Sequence, residues 1–198
     1  MGYRFFIYVS LVLLFADCKK DPQIIIHKVL GIKAGDSTSA DVHYMRINYE
    51  FNGWSNTDYY LRIDMSNSYD FHFVYYYVMT NPELYDYGFQ LNPGLPENTS
   101  YIYLDSKGYP VALNFGEMIS DTLRWTVNRG YRTLYDDLID HLPNGVSYYS
   151  GNWIKNPNGY LAFKVIDMKS DLTYKGWVLF GIKWNGDQLI KSCAYVVY

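Results

Sequence analysis

The 198-residue chain contains few cysteines and few charged residues. Its two cysteines, Cys18 and Cys193, cannot build a disulfide framework, so a stable fold must come from a hydrophobic core. Charged residues make up 19% of the chain, below the usual fraction of about a quarter. The net charge is −3, and the 17 Lys and Arg are scattered along the sequence. Such a chain offers no basic surface for phosphates, so nucleic-acid binding is not expected.

The sequence also lacks the short motifs that carry common catalytic chemistry. Its four histidines show neither the His-x-His nor the His-Glu-x-x-His spacing that holds zinc. No Gly-x-Ser-x-Gly elbow, phosphate-binding loop or dinucleotide fingerprint occurs. Glycosidases need two carboxylates placed across a sugar, and no motif pairs any two glutamates. We therefore expect a non-catalytic protein. A secreted polysaccharide-acting hydrolase is the alternative, because a sheet brings distant residues together.

The only long apolar segment lies at the N-terminus. A short basic start, Met1 to Arg4, precedes an apolar run from Phe5 to Ala16 that is interrupted by Ser10. The run is too short to span a bilayer and is typical of a secretory signal. Cys18 closely follows, in an arrangement that resembles the signal of bacterial lipoproteins, whose cysteine is acylated and becomes the mature N-terminus.

These features predict a signal peptide over residues 1–17, a lipidated tether over 18–23 and a single domain over 24–198. Lipoprotein signals place a small residue before the cysteine, whereas this chain has Asp17. An ordinary signal peptide that leaves Cys18 free is therefore the alternative. Lys19 resembles the residue found in lipoproteins sent to the outer membrane. The expected location is the cell envelope, with the lipid holding the protein to the outer membrane on its periplasmic or surface side.

Tyrosine takes the place of charge, with 23 Tyr, 10 Phe and 5 Trp. Short segments rich in Tyr, Val, Ile and Phe are separated by turn signals, which predicts an all-β chain. Residues 42–51 alternate between apolar and polar, as in a strand with one buried face. Residues 70–79 are apolar on both faces, as in a strand with neighbours on each side. Residues 185–187, Asn-Gly-Asp, indicate a hairpin turn between two C-terminal strands.

One segment departs from this pattern. Between Tyr131 and Leu142 the apolar residues recur at helical spacing, and Pro143 follows as a stop signal. We predict one short helix over residues 131–142, packed against an antiparallel β-sandwich. On such a helix Asp137 and His141 would be neighbours able to bind metal or transfer protons, although a solvated helix face is the plainer interpretation.

Several stretches carry a likeness to a known family. The residues involved are Ile63-Asp64-Met-Ser-Asn-Ser-Tyr-Asp70-Phe71, Tyr101 to Gly108, Ala112 to Glu117, Tyr174-Lys-Gly-Trp177 and Ala194-Tyr195. Together they resemble small lipoproteins of Bacteroidetes-type bacteria over most of residues 59–198. The resemblance implies a jelly-roll or lectin-like sandwich and brings no particular activity with it.

Three aspartates could supply a cation site. Asp58, Asp64 and Asp70 follow one another at intervals of six residues. Carboxylate oxygens are the ligands that Ca²⁺ prefers. Their spacing does not match an EF-hand loop. A polar β-turn without a metal is the alternative interpretation, so Ca²⁺ stands here as a possible cofactor and no other is indicated.

Aromatic residues supply the remaining functional candidates. Trp54 and Trp153 sit beside loop-type residues, and Tyr59 and Tyr148 belong to adjacent tyrosine pairs whose rings must point to opposite sheet faces. Exposed rings stack on sugars or anchor protein partners. We therefore expect a surface that binds a glycan or a cell-envelope protein, with a structural envelope component as a further alternative. Cys193, in an apolar C-terminal segment, is expected to be a buried small hydrophobe.

Overall fold

A computed structural model of the protein describes residues 31–51, 57–63, 69–81, 84–94, 98–140, 148–154, 156–182 and 188–198. The predicted signal peptide, Cys18 and the tether lie outside the described residues. In the part of the chain that the structure describes, no helix has the length and apolar character needed to cross a bilayer.

The described chain forms fourteen strands and one 3-10 turn. In chain order the strands are β1 Gly31–Lys33, β2 His43–Phe51, β3 Thr57–Leu61, β4 Phe71–Asn81, β5 Leu84–Pro93, β6 Asn98–Tyr103, β7 Ala112–Leu113, β8 Met118–Ser120, β9 Trp125–Val127, β10 Arg132–Asp140, β11 Tyr148–Ser150, β12 Tyr160–Asp167, β13 Thr173–Ile182 and β14 Gln188–Val197. The 3-10 turn covers Asn152–Ile154, between β11 and β12.

The strands pair into three antiparallel sheets. The five-stranded sheet has the order β11-β10-β5-β4-β3. The seven-stranded sheet has the order β2-β14-β13-β12-β6-β9, and β7 extends it beside β12. Strands β1 and β8 form a separate two-stranded ribbon. The predicted all-β antiparallel sandwich is confirmed, whereas its jelly-roll or lectin-like form stays a prediction.

The main core lies between the two large sheets. Alternate residues of β4 and β5 point inward, and their rings meet rings from β12 and β13 of the opposite sheet. Phe71 lies 5.4 Å from Phe163 between ring centroids. Phe73 and Phe89 lie 5.1 and 5.2 Å from Phe180, both edge to face. These buried phenylalanines fix how the two sheets are placed against each other.

A second core lies on the outer face of the seven-stranded sheet. Ile32 and Ile119 of the ribbon are buried there with Trp177 and Val196 of the sheet. The odd-numbered residues of β13 from Lys175 to Leu179 therefore face the ribbon side, while the even-numbered ones face the main core. The ribbon adds a thin third layer over part of this face.

Strand β2 confirms the alternation predicted for residues 42–51. Met45, Ile47 and Tyr49 pack against the main core. The register with β14 shifts once, so that Ile47 and Asn48 together oppose Lys191. Asn48 occupies the left-handed region at φ 53°, a conformation that asparagine tolerates better than most residues.

Strand β4, predicted to have neighbours on both sides, pairs with β3 and with β5.

The predicted helix over residues 131–142 is wrong. Residues 132–140 form strand β10, which pairs with β5 on one side and β11 on the other. The register with β5 shifts between Thr133 and Tyr135, and such a shift breaks the period of two that identifies a strand in sequence. Threonine, tyrosine and aspartate are also weak helix formers, so inter-strand hydrogen bonds prevail. Residues 141 and 142 lie outside the described residues.

The loss of this helix also removes the proposed pairing of Asp137 with His141. Asp137 lies in β10 opposite Tyr87, so the helical spacing that would have made residues 137 and 141 neighbours is absent at Asp137. His141 lies outside the described residues. The structure therefore gives no support to a joint site of these two side chains.

Candidate functional site

Two neighbouring strands of the five-stranded sheet place polar and aromatic side chains on its outer face. On β3, Tyr59 and Leu61 point toward the core, so Asp58 and Tyr60 point away from it. Tyr60 pairs directly with His72 of β4. Because directly opposed residues in an antiparallel pair share a face, the tyrosine and histidine rings must meet on the outside of the sandwich.

We name the resulting group the Tyr60 cluster; it consists of Asp58, Tyr60, Tyr69, His72 and Asn92. The Tyr60 and His72 rings are stacked, with centroids 4.4 Å apart and planes 8° from parallel. Tyr69 meets Tyr60 edge-on at 4.8 Å and His72 at 5.9 Å. Tyr60 remains 47% exposed, so the stack presents one ring to solvent above a more buried imidazole.

The imidazole of His72 makes one side-chain hydrogen bond, through Nδ1, and its Nε2 lies near the Asp58 carboxylate without a hydrogen bond to it. The Asn92 Nδ2 amide lies 3.3 Å from Nδ1, and the carboxylate of Asp58 lies 3.5 Å from Nε2. The Asn92 amide can only donate, so Nδ1 is the acceptor in this contact. The Tyr60 hydroxyl donates to the same carboxylate over 3.4 Å. Partial desolvation, and next the Asp58 charge, raise the pKa of the Tyr60 hydroxyl above its usual range.

The cluster therefore combines a fixed aromatic ring with an accessible carboxylate. The Asp58 side chain is 44% exposed, and Tyr49 anchors its backbone by donating a hydrogen bond to the Asp58 carbonyl over 3.0 Å. A ring that is already held by stacking loses little side-chain entropy on contact with a ligand. An acceptor beside an exposed ring suits ligands that present hydroxyl groups along a flat apolar face.

Of the three aspartates predicted as a calcium site, the two that the structure describes do not share one surface. Asp70 is fully buried, and its carboxylate accepts hydrogen bonds from the Ile63 N–H and the Asn98 amide, each over 2.7 Å. Asp58 lies on the outer face of the sheet, and Asp64 lies outside the described residues. Across the described ranges, His, Cys, Asp and Glu side chains form no group of three that could hold a metal ion.

The aromatic residues predicted to bind a ligand differ in their exposure. Trp153 is only 1% exposed and its ring meets Phe180 edge-on in the main core, so the expectation of an exposed ring is wrong for this residue. Tyr59 is half-buried against the core, with its ring 4.7 Å from that of Tyr49. Trp54 lies outside the described residues, as does the side chain of Tyr148, whose backbone begins β11.

Cys193 confirms its predicted burial. It is fully buried in β14 as a free thiol. Burial raises the pKa of the thiol far above its usual range, and the nearby Asp70 carboxylate adds to that effect. A thiol that stays protonated is a poor nucleophile, so Cys193 acts as a core residue.

Sequence reasoning identifies Asp58 but misses its partners. In the sequence Tyr60 is only one half of a tyrosine pair, and His72 is only a histidine outside any zinc motif. The usable signal is the prediction of two adjacent strands with alternating faces. The register that sets Tyr60 opposite His72 depends on the connection between the strands, and no sequence motif specifies it.

Comparison of the chain with protein-family models, with curated proteins and with solved structures finds no match. The fold and its site together define an antiparallel β-sandwich that carries an aromatic, imidazole and carboxylate cluster on one outer face.

Proposed function

We propose that this protein is a non-catalytic lipoprotein of the cell envelope that binds a glycan through the Tyr60 cluster. The observation that carries the proposal is the Tyr60–His72 stack, which fixes an exposed ring next to the Asp58 carboxylate. Glycans offer C–H faces to aromatic rings and hydroxyl donors to carboxylates. Both kinds of contact are available within this one patch.

A glycan array tests the proposal on the full chain carrying Cys18→Ala, which keeps the protein free of lipid. Titration calorimetry then measures the affinity of each glycan found. Tyr60→Ala is expected to weaken binding about tenfold, equivalent to about 1.4 kcal/mol. Tyr60→Phe keeps the ring and should retain most of the affinity, whereas Asp58→Asn should lose the part owed to the carboxylate.

Tyr131→Ala provides the matched control, because Tyr131 is 72% exposed and does not belong to the cluster. Equal losses for Tyr60→Ala and Tyr131→Ala would contradict a localised site. Binding of an envelope protein instead of any glycan, with the same dependence on Tyr60, would assign the cluster to a protein partner and overturn the glycan proposal.

The lipid anchor is proposed from the sequence, which places Cys18 just after an apolar leader and resembles the small lipoproteins of Bacteroidetes-type bacteria. Acyl chains contribute about 0.8 kcal/mol per buried CH₂ group. The parent protein should therefore fractionate with membranes, and its mature mass should include the acyl groups. Cys18→Ala should release the protein from the membrane fraction, and an unchanged distribution would contradict the anchor.

A further inference from the structure

Two lysines face each other on the outer face of the seven-stranded sheet. Lys164 of β12 and Lys175 of β13 are direct cross-strand partners, and both side chains point away from the main core. Like charges placed directly opposite destabilise a sheet. The arrangement therefore requires negative charge nearby.

Lys175 has its own partner. It is fully buried, and its ammonium lies 2.8 Å from the Asp121 carboxylate. The ring of Tyr198 lies 4.7 Å below the ammonium, and the Tyr198 hydroxyl donates to Asp121 over 3.3 Å. The turn between β8 and β9 carries Asp121 into this position. The charge of Asp121 is thus committed mainly to the buried lysine.

Lys164 is held by aromatic rings. Its ammonium lies 4.7 Å from the Tyr101 ring centroid and 5.6 Å from that of Trp125. Tyr101 is its direct cross-strand neighbour on β6, and the Trp125 indole is fixed by donating to the Ser120 carbonyl over 3.1 Å. Desolvation, with a contribution from Lys175, lowers the pKa of Lys164, and Asp121 opposes this shift in part.

The formal charges of Lys164, Lys175 and Asp121 sum to one positive charge. That charge lies at Lys164, which is partly exposed and has two aromatic rings beside its ammonium. A low local dielectric strengthens its attraction for an anion. A single positive charge beside aromatic rings matches a sugar unit that carries one carboxylate and has a flat apolar face.

From this geometry we infer that Lys164, Tyr101 and Trp125 form a binding site for a carboxylate-bearing sugar. The sugar carboxylate pairs with the Lys164 ammonium, and the apolar face of the sugar ring contacts the Trp125 side of the patch. The site lies on the outer face opposite to the Tyr60 cluster, and it does not depend on the function proposed for that cluster.

Titration calorimetry of the full chain carrying Cys18→Ala with oligogalacturonate tests the inference. The methyl ester of the same oligomer, which has lost its charge, should bind at least tenfold more weakly, and added salt should weaken binding of the acid. Lys164→Gln should reduce the affinity for the acid at least tenfold, whereas Lys164→Arg should retain it. Tyr60→Ala on the opposite face should leave it unchanged.

Lys164→Gln removes a like-charge pair and two cation–π contacts, whose effects on stability oppose each other, so its urea midpoint should change little. A urea midpoint close to that of the parent shows that a loss of binding does not come from unfolding. As a second measurement, oligogalacturonate should protect Lys164 of the parent chain from reductive methylation, read by peptide mass spectrometry. Equal binding of acid and ester, full binding by Lys164→Gln, or equal protection by acetate or phosphate would overturn the inference. Absence of any binding by the acid would do so as well.

Discussion

Trp153 meets Phe180 edge-on, with ring centroids 6.0 Å apart and planes 85° from parallel. This contact joins the 3-10 turn to β13 of the seven-stranded sheet. It places a residue from a Gly- and Asn-rich segment in the middle of the main core. The turn after β11 is therefore part of the hydrophobic interior and does not serve as a surface loop.

Trp153→Ala is expected to destabilise the protein by about 3–5 kcal/mol, because it leaves a large cavity in the core. Trp153→Phe should cost less, since it keeps a ring and removes an indole N–H that is buried without a hydrogen-bond partner. Urea unfolding followed by circular dichroism measures both. Tyr131→Ala, at an exposed position, should stay within about 0.5 kcal/mol of the parent. If the Trp153→Ala protein kept the parental stability but lost glycan binding, Trp153 would belong to the binding surface and not to the core.

The Cys193 thiol should not react in the native protein. In the full chain carrying Cys18→Ala, a thiol reagent such as DTNB should titrate no thiol at neutral pH and one thiol in denaturant, because burial keeps Cys193 protonated and inaccessible. Cys193→Ser should cost about 1–3 kcal/mol by placing a hydroxyl in an apolar environment. Rapid labelling of Cys193 in the native protein would contradict its buried placement. In the parent chain, a Cys18–Cys193 bridge would leave Cys193 unreactive toward the reagent even in denaturant.

Sequence patterns predicted the fold class well because strand alternation is a local property. The faces of β2 follow directly from the order of apolar residues, and the burial of Cys193 follows from its apolar neighbours. The prediction of a helix where β10 lies failed because a register shift at Thr133 mimics helical spacing. The prediction that Trp153 is exposed failed because the flanking glycine and asparagine indicate only that the backbone turns. The direction of the indole depends on packing against the opposite sheet.

Both surface sites depend on strand register, which is a long-range property. Tyr60 and His72 are twelve positions apart in sequence, yet they stack because β3 and β4 pair in one particular register. Lys164 and Lys175 likewise meet only through the β12–β13 pairing. A strand shifted by one residue would turn its own side chain to the opposite face, away from its partner. Sequence alternation alone does not distinguish the observed register from one shifted by two residues.

Acid should destabilise the protein through carboxylates whose pKa values are lowered by folding. The side-chain hydroxyl of Ser39 lowers the pKa of Asp36, and that of Ser170 lowers the pKa of Asp167. Burial acts to raise the pKa of Asp105, but hydrogen bonds from the Tyr109 N–H and then from the Asn152 amide outweigh it. A folded pKa below the unfolded value means that the unfolded chain binds more protons.

The stabilisation from these groups is therefore complete above the unfolded carboxyl pKa of about 4 and is lost as the pH falls through the folded values. Urea midpoints measured between pH 6 and pH 2 should decline across that window. Asp105→Asn should flatten the decline, whereas Asp41→Asn at an exposed position serves as the charge control. A urea midpoint that rises on acidification would contradict the lowered carboxyl pKa values.

The ion pair of Lys175 with Asp121 should be asymmetric in its effect on stability. Lys175 is fully buried, whereas the Asp121 side chain is 53% exposed. The contact with Lys175 lowers the pKa of Asp121 more than any other contact does. Asp121→Asn leaves the buried ammonium without a counter-charge. For a fully buried pair such a change costs about 3–5 kcal/mol, and we expect about 2 kcal/mol here because solvent screens half of Asp121.

Lys175→Met removes the charge and keeps the stem, so it should be tolerated and could even stabilise the chain. The double variant should recover most of the stability lost in Asp121→Asn, and urea unfolding of the four proteins gives the coupling free energy. A coupling below about 0.5 kcal/mol is typical of an exposed surface pair. That result would mean that solvent reaches Lys175 in spite of its buried position, and it would remove the charge argument that leaves Lys164 free for an acidic sugar.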